Sequence, residues 1–193
     1  AATRLPEKLL QRGGGMSILQ HTYDATSRSS TARDPDCEGV IVAVDDQRLA
    51  EEVERFGGRW LMTPNDCASG TDRIAIVAER FPDTEVFINV QSDEPEIEAA
   101  SIDAVAGLIT ADPTADIATA ATPIRDAAAL TDPSVVKIVM ATEQGRAGQG
   151  TAIYFSRACV PHQRDRFAED SLAPSGDSPP VYWHHLGLYA YRR

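Results

Sequence analysis

Short apolar runs alternate with amphipathic ones through the first two thirds of this chain, and that alternation restricts the fold more than any other feature. "GVIVAV" (39–44) has the composition of a buried strand. It runs directly into "QRLAEEVERFGG", whose Leu49, Val53 and Phe56 share one helical face before a stop at Gly57. "RWLMT" is a second strand, "TDRIAIVAERF" a helix with Ile74, Val77 and Ala78 inward, and "EVFINV" a third strand, apolar on both faces. Strands of that kind belong in a parallel sheet covered by helices. "SIDAVAGLITAD" follows as a helix capped by Ser101 or a neighbour, then "DIATAATPI" as a strand. After Pro133 the pattern changes to a hairpin, "VVKIVMATEQGRAGQGTAIYFS", and a late strand, "HHLGLYAY". "EDSLAPSGDSPPV" between them is a polar, proline-rich loop expected to be mobile. The fold class is therefore α/β, a mixed, mostly parallel sheet flanked by helices with a β-hairpin-rich second half.

At 193 residues the chain suits one domain better than two. A formal charge of −11 opposes binding to nucleic acid or an anionic membrane surface, because the long-range field repels polyphosphates. Small anionic substrates stay compatible with it where basic residues cluster. Cys37, Cys67 and Cys159 are odd in number and widely spaced, which suits reduced thiols in a cytoplasmic protein. No apolar run is long enough to span a bilayer, and "AATRLPEKLLQRGGG" lacks the core of a signal peptide. The start without methionine and the stop on "YAYRR" are expected to be cut ends.

Four stretches carry candidate chemistry. "EVFINV" runs straight into "QSDEP", and in open α/β sheets ligands gather outside strand carboxyl ends. Asp93 there is either a carboxylate for a hard cation such as Mg²⁺ or a plain cap on the following helix. "TRLPEK" with "RGGG" places Arg4 and Lys8 where they clamp a triphosphate or form a solvated basic end; the only other lysine is Lys137. In "NDCASGTDR", Ser69-Gly70-Thr71 precedes a helix, whose free N–H groups bind a polar ring or phosphate, or are simply capped by Ser69 or Thr71. Arg157 and Arg164 in "YFSRACVPHQRDRF", with His184 and His185 beyond, suit a carboxylate-bearing polyol or form surface ion pairs with Asp165 and Glu169.

Jointly, "TRLPEK", "IVAVDD", "SGTDR", "INVQSDEP", "PSVVKIV", "IYFSRACVPHQRDRF" and "HHLGLYAYR" resemble, in order and spacing, the 3-deoxy-manno-octulosonate cytidylyltransferases, or CMP-Kdo synthetases. The resemblance covers nearly the whole chain. It implies a Rossmann-like nucleotidyltransferase fold, a Mg²⁺ requirement, a homodimer and a cytoplasmic location. The implied reaction joins CTP and 3-deoxy-manno-octulosonate (Kdo) into CMP-Kdo and pyrophosphate for lipopolysaccharide biosynthesis. Carried over by position, Lys8 and Asp93 are catalytic, Arg4, Lys8, Ser69, Gly70 and Arg73 bind the nucleotide, and Asp93 binds the metal. Gln91, Arg157, Arg164, His185 and Tyr189 hold the sugar acid.

The sequence departs from the family pattern at Ala2, Glu7 and Ser92, where the family usually has serine, glycine and glycine. The resemblance also implies a first strand and a C-terminal segment missing from residues 1–193, so a single incomplete domain, inactive as given, is expected. The alternatives are a CMP-sialate synthetase, or a non-catalytic remnant of the fold.

Overall fold

The computed structural model describes residues 8–142, 148–162 and 182–193, in two compact units. The first comprises residues up to Ala118 together with Leu188–Arg193, the second Thr119–Gly187.

The first unit begins with a 3-10 turn, Lys8–Leu10, and a minimal hairpin of β1 (Arg12–Gly13) and β2 (Met16–Ser17). Gly14 and Gly15 form its two-residue loop with φ of 62° and 89°. Both values are left-handed, which is the requirement of a type I′ hairpin turn and the reason two glycines stand there. "RGGG" is thus accounted for by backbone geometry.

Helix α1 (Ile18–Ser27) follows, with the buried Ser17 as N-cap accepting from the Gln20 amide at 3.1 Å, and then the short α2 (Ser30–Arg33). Strand β3 (Ile41–Val44) leads into α3 (Gln47–Arg55), and β4 (Arg59–Met62) pairs in parallel with β3 from Ile41↔Arg59 to Val44↔Met62. Asp46 caps α3 by accepting from the Arg48 amide at 2.8 Å. Gly57, with φ 76°, ends it at the expected residue. Val42, Val44, Ala50, Val53 and Leu19 form the core of this unit, with Leu49 and Phe56 packed on its rim.

Helix α4 (Gly70–Arg80) buries Val77, with Ile74 and Ala78 half-buried beside it. Strand β5 (Val86–Val90) is followed by α5 (Ala99–Ala111), which buries Ile102, Val105 and Ile109. The N-cap of α5 is Glu98, with no side-chain cap bond, so Ser101 lies inside the helix instead of capping it. Ala99 and Ala100, strong helix formers, let the helix begin earlier.

Strands β6 (Ile117–Pro123) and β9 (Trp183–Arg192) each pass from one unit into the other. In the first unit β9 runs antiparallel to β5, from Val86↔Arg192 to Val90↔Leu188. In the second, α6 (Ala127–Thr131) precedes β7 (Lys137–Thr142), which pairs antiparallel with β8 (Gly150–Ser156) and with the start of β9. The expected hairpin is present, and Ile124, Leu130 and Tyr182 form a second core.

The α/β class and mixed pairing agree with expectation. The expected excess of parallel pairing is not seen among the described residues, where β3–β4 is parallel and the β5–β9, β7–β8 and β7–β9 pairs are antiparallel. The reason is directional: β9 returns against both β5 and β7.

Candidate active site

Strand β5 ends at Val90, and the chain turns at once, with the Glu94 amide donating to Gln91 O at 3.2 Å. The turn is fixed from outside. Thr22 of α1, buried, has its Oγ1 3.0 Å from Ser92 O and 3.1 Å from Ile18 O. Asp93 projects from the turn partly exposed, and its Oδ2 accepts from Lys8 Nζ at 2.6 Å. Asp93 therefore does not cap the following helix; it is an accessible carboxylate at a strand end, held beside an ammonium.

The start of α4 lies next to this turn. A methyl group placed on Gly70 would make ordinary van der Waals contact with Asn89 Nδ2 and Gln91 Nε2, each at 3.9 Å, so the helix start lies beside the side chains at the β5 end. Ser69 is the N-cap: its Oγ accepts from the Asp72 amide at 3.2 Å and donates to Asp72 Oδ2 at 2.7 Å. Thr71 Oγ1 lies 3.3 Å from Tyr191 Oη, and the Tyr191 ring stacks on Tyr189 with centroids 5.8 Å apart. Burial, and then the Tyr191 hydroxyl, push the Tyr189 phenol above its ordinary value, so it is a neutral hydrogen-bonder at physiological pH.

Arg73 is engaged by the protein itself. One terminal nitrogen donates to Asp45 Oδ2 at 2.8 Å, while the other donates to Thr63 Oγ1 and to Pro64 O at 3.2 Å. Asp45 and Thr63 immediately follow β3 and β4, so the guanidinium ties two parallel strand ends to α4. A planar fork with several donors suits that task.

In the second unit, Arg157 follows β8 and donates to Pro133 O at 2.8 Å. His185 on β9 is half-buried, with Nε2 2.9 Å from Thr119 Oγ1 and its ring edge-on to Phe155 at 4.8 Å. Burial and then neighbouring His184 push its pKa below the ordinary value, so the imidazole is neutral at pH 7.

The geometry thus brings Lys8 to Asp93 and Gly70 to Gln91, and gives Ser69 and Arg73 structural partners. Arg4 and Arg164, with Ala2, Glu7 and the 169–181 loop, lie outside the described residues. The sequence reading missed Thr22, Asp45, Thr63 and Thr119; for Asp45 and Thr63 an acid or a hydroxyl just after a strand was the only signal, and a common one, while Thr22 inside α1 and Thr119 inside β6 carried none. An apolar cavity of about 280 Å³ against α4, lined by Ile74, Ala78, Phe87 and Tyr191, contains none of the expected polar groups except the margin of the Tyr pair.

The donor set constrains any metal. Among the described residues no group of three or more His, Cys, Asp or Glu side chains converges. Mg²⁺ takes one or two carboxylates and completes its shell with water and phosphate oxygens, a demand that an accessible carboxylate such as Asp93 meets.

The family model for "Cytidylyltransferase" matches residues 1–193. A 3-deoxy-manno-octulosonate cytidylyltransferase of Rhodopirellula baltica is 52% identical over 193 residues, covering 100% of this chain and 72% of the relative. Another, from Hahella chejuensis, is 42% identical over 195 residues, covering 99% and 70%. The solved structure of a CMP:2-keto-3-deoxy-manno-octonic acid synthetase complexed with CTP superposes with a TM-score of 0.81 at 34% identity, over 100% of this chain and 70% of that one. The family model extends from the first residue to the last, and the relatives cover all or nearly all of the chain; the chain belongs to the cytidylyltransferase family, among the 3-deoxy-manno-octulosonate cytidylyltransferases.

Proposed function

We propose that this protein transfers the cytidylyl group of CTP to Kdo, releasing pyrophosphate and supplying CMP-Kdo for lipopolysaccharide biosynthesis. The observation that carries the reading is the β5 strand end, where Asp93 meets Lys8 and Gln91 meets the start of α4, in a chain 52% identical over its full length to a protein with that name.

In the reaction the anomeric hydroxyl oxygen of Kdo attacks the α-phosphorus of CTP in line with the departing pyrophosphate. One P–O bond forms, one breaks, and the hydroxyl proton passes to solvent. There is little covalent work for side chains; positioning and neutralisation of charge lower the barrier. Lys8 and Arg4 place positive charge on the phosphates. The N-terminus of α4, at Ser69 and Gly70, offers backbone N–H groups to the nucleotide, and Arg73 shapes that pocket through Asp45 and Thr63. Asp93 is the residue that would hold Mg²⁺, whose contribution is charge neutralisation on the phosphates. Gln91 and Tyr189 hydrogen-bond sugar hydroxyls, neutral His185 does the same, and Arg157 and Arg164 pair with the carboxylate.

A cytoplasmic homodimer completes the proposal. Its support is β8, where Ile153, Tyr154 and Phe155 are 65, 59 and 43% exposed in succession, a run of apolar surface suited to a second copy. No helix among the described residues is long and apolar enough to cross a membrane.

The deciding assay measures Mg²⁺-dependent pyrophosphate release from CTP with Kdo and, in parallel, with N-acetylneuraminate. Turnover with Kdo is expected of the complete enzyme. Turnover with the sialic acid alone would replace this reading by a CMP-sialate synthetase, and no turnover with either by a non-catalytic member of the fold.

A further inference from the structure

Lys137 is the more unusual of the two lysines. It is fully buried, with 0% exposure, although lysine is almost never buried without partners. Its Nζ has three acceptors, all backbone carbonyls: Asp132 O at 2.8 Å, Val135 O at 2.8 Å and Arg157 O at 3.2 Å. Three donors meet three acceptors, so the ammonium is fully satisfied. The Asp132 carboxyl is held below its usual range, first by the Ser134 amide and side chain and more weakly by the charge of Lys137.

The three carbonyls belong to two segments that carry or contact sugar-site candidates. The 132–135 loop also accepts the Arg157 guanidinium, through Pro133 O at 2.8 Å. The next residue, Val136, accepts the backbone amide of His185 at 2.8 Å, and Lys137 is the register partner of His184. One buried ammonium therefore fixes the backbone from which Arg157 departs and the loop on which its guanidinium rests. A fixed starting point matters for a guanidinium meant to grip a planar carboxylate, since misplacement by about 1 Å can cost roughly a hundredfold in rate.

We propose that Lys137 is a positioning residue for sugar-acid recognition, setting Arg157 for the carboxylate of the acceptor without touching the acceptor itself. The proposal rests on the reading of Arg157 as the carboxylate partner. A simple stability role would weaken the whole fold and both substrates' binding together; a positioning role acts on the sugar acid alone.

The test compares Lys137→Met, Arg157→Ala and the double variant in steady-state assays with CTP, Kdo and Mg²⁺. Arg157→Ala is expected to raise KM for Kdo by roughly tenfold or more and leave KM for CTP within about twofold. Lys137→Met should show the same split, and in the double variant the two effects should overlap instead of multiplying. Equal changes in both KM values, or none, from Lys137→Met beside a large Arg157→Ala effect would overturn the positioning role alone. No Kdo effect from Arg157→Ala would overturn the carboxylate reading and the proposal with it. If Lys137→Met does not fold, amide exchange in the unmodified enzyme carries the test: Kdo, but not CTP, should slow exchange in residues 132–136 and 157–158, and unchanged exchange there overturns the proposal.

Discussion

Lys8 Nζ lies 2.6 Å from Asp93 Oδ2, joining residues 85 positions apart at the end of a strand. Both side chains are more than a third exposed, and such pairs contribute only about 0–1 kcal/mol to stability. The contact is therefore cheap to exchange. In the proposed reaction Asp93 would hold Mg²⁺, and Lys8, released from so weak a pair, would be free to meet phosphate oxygens.

Asp93→Asn keeps the shape and removes the charge. Pyrophosphate release should fall by roughly a hundredfold or more, while the thermal midpoint stays within about 2 °C because an exposed pair contributes little. Lys8→Ala should also cost activity but retain the Mg²⁺ dependence. Near-normal turnover of Asp93→Asn at limiting Mg²⁺ would remove this carboxylate from the metal site.

Arg73 and Asp45 should behave as one unit. Because the guanidinium joins both strand ends to α4, Arg73→Lys should destabilise by about 1–2 kcal/mol, as the planar fork is lost. Asp45→Asn should do likewise, and the double variant should fall short of the sum by about 1 kcal/mol. Denaturant titration of the three variants gives the coupling; strict additivity would mean that the pair is incidental.

Glu52 predicts an acid limit. Its side chain, 6% exposed, accepts from Arg55 at 2.5 and 2.9 Å and from Arg12 at 2.9 Å. The hydrogen bonds from Arg55, aided by Ser17 and the charge of Arg12, outweigh burial and hold the carboxyl at about 2 instead of 4.5. The folded value is the lower one, so this stabilisation is complete above about pH 4.5 and is lost as the pH falls through 2. Glu52→Gln should lose on the order of 2 kcal/mol at pH 7 and show a flatter acid limb in thermal unfolding. An unchanged pH profile would contradict the assignment.

His185 should protonate at a lower pH than an ordinary histidine. Its pKa lies below 6.5 through burial and then through His184, so its contribution to stability is present above pH 6.5 and declines as the pH falls toward the folded value. Nitrogen-15 NMR through an acid titration should show it neutral at pH 6.5 and hydrogen-bonded to Thr119. A cationic ring at neutral pH would instead make it a carboxylate partner beside Arg157.

The sequence by itself determined the order of the elements. Residues 41–44 and 86–90 are apolar on both faces and can be stable only inside a covered sheet; Gly57 stops α3 because its left-handed backbone suits glycine. Local patterns of this kind depend on neighbours a few positions away. Helix α1 escaped for the converse reason: its buried stripe is Leu19, Thr22 and Ala25, too short and polar to show a period.

"QSDEP" was legible as a strand-end acid, but whether Asp93 caps a helix or faces a cation was not, because the answer is Lys8, 85 residues earlier. The same holds for Arg73, which looked like a nucleotide ligand and also fastens Asp45 to Thr63, and for Lys137, which looked like an ordinary strand residue and is a buried hub for three carbonyls. Propensity and periodicity are properties of consecutive residues. Charge pairing, burial and hydrogen-bond satisfaction depend on what the folded chain brings alongside, and only the tertiary structure decides that.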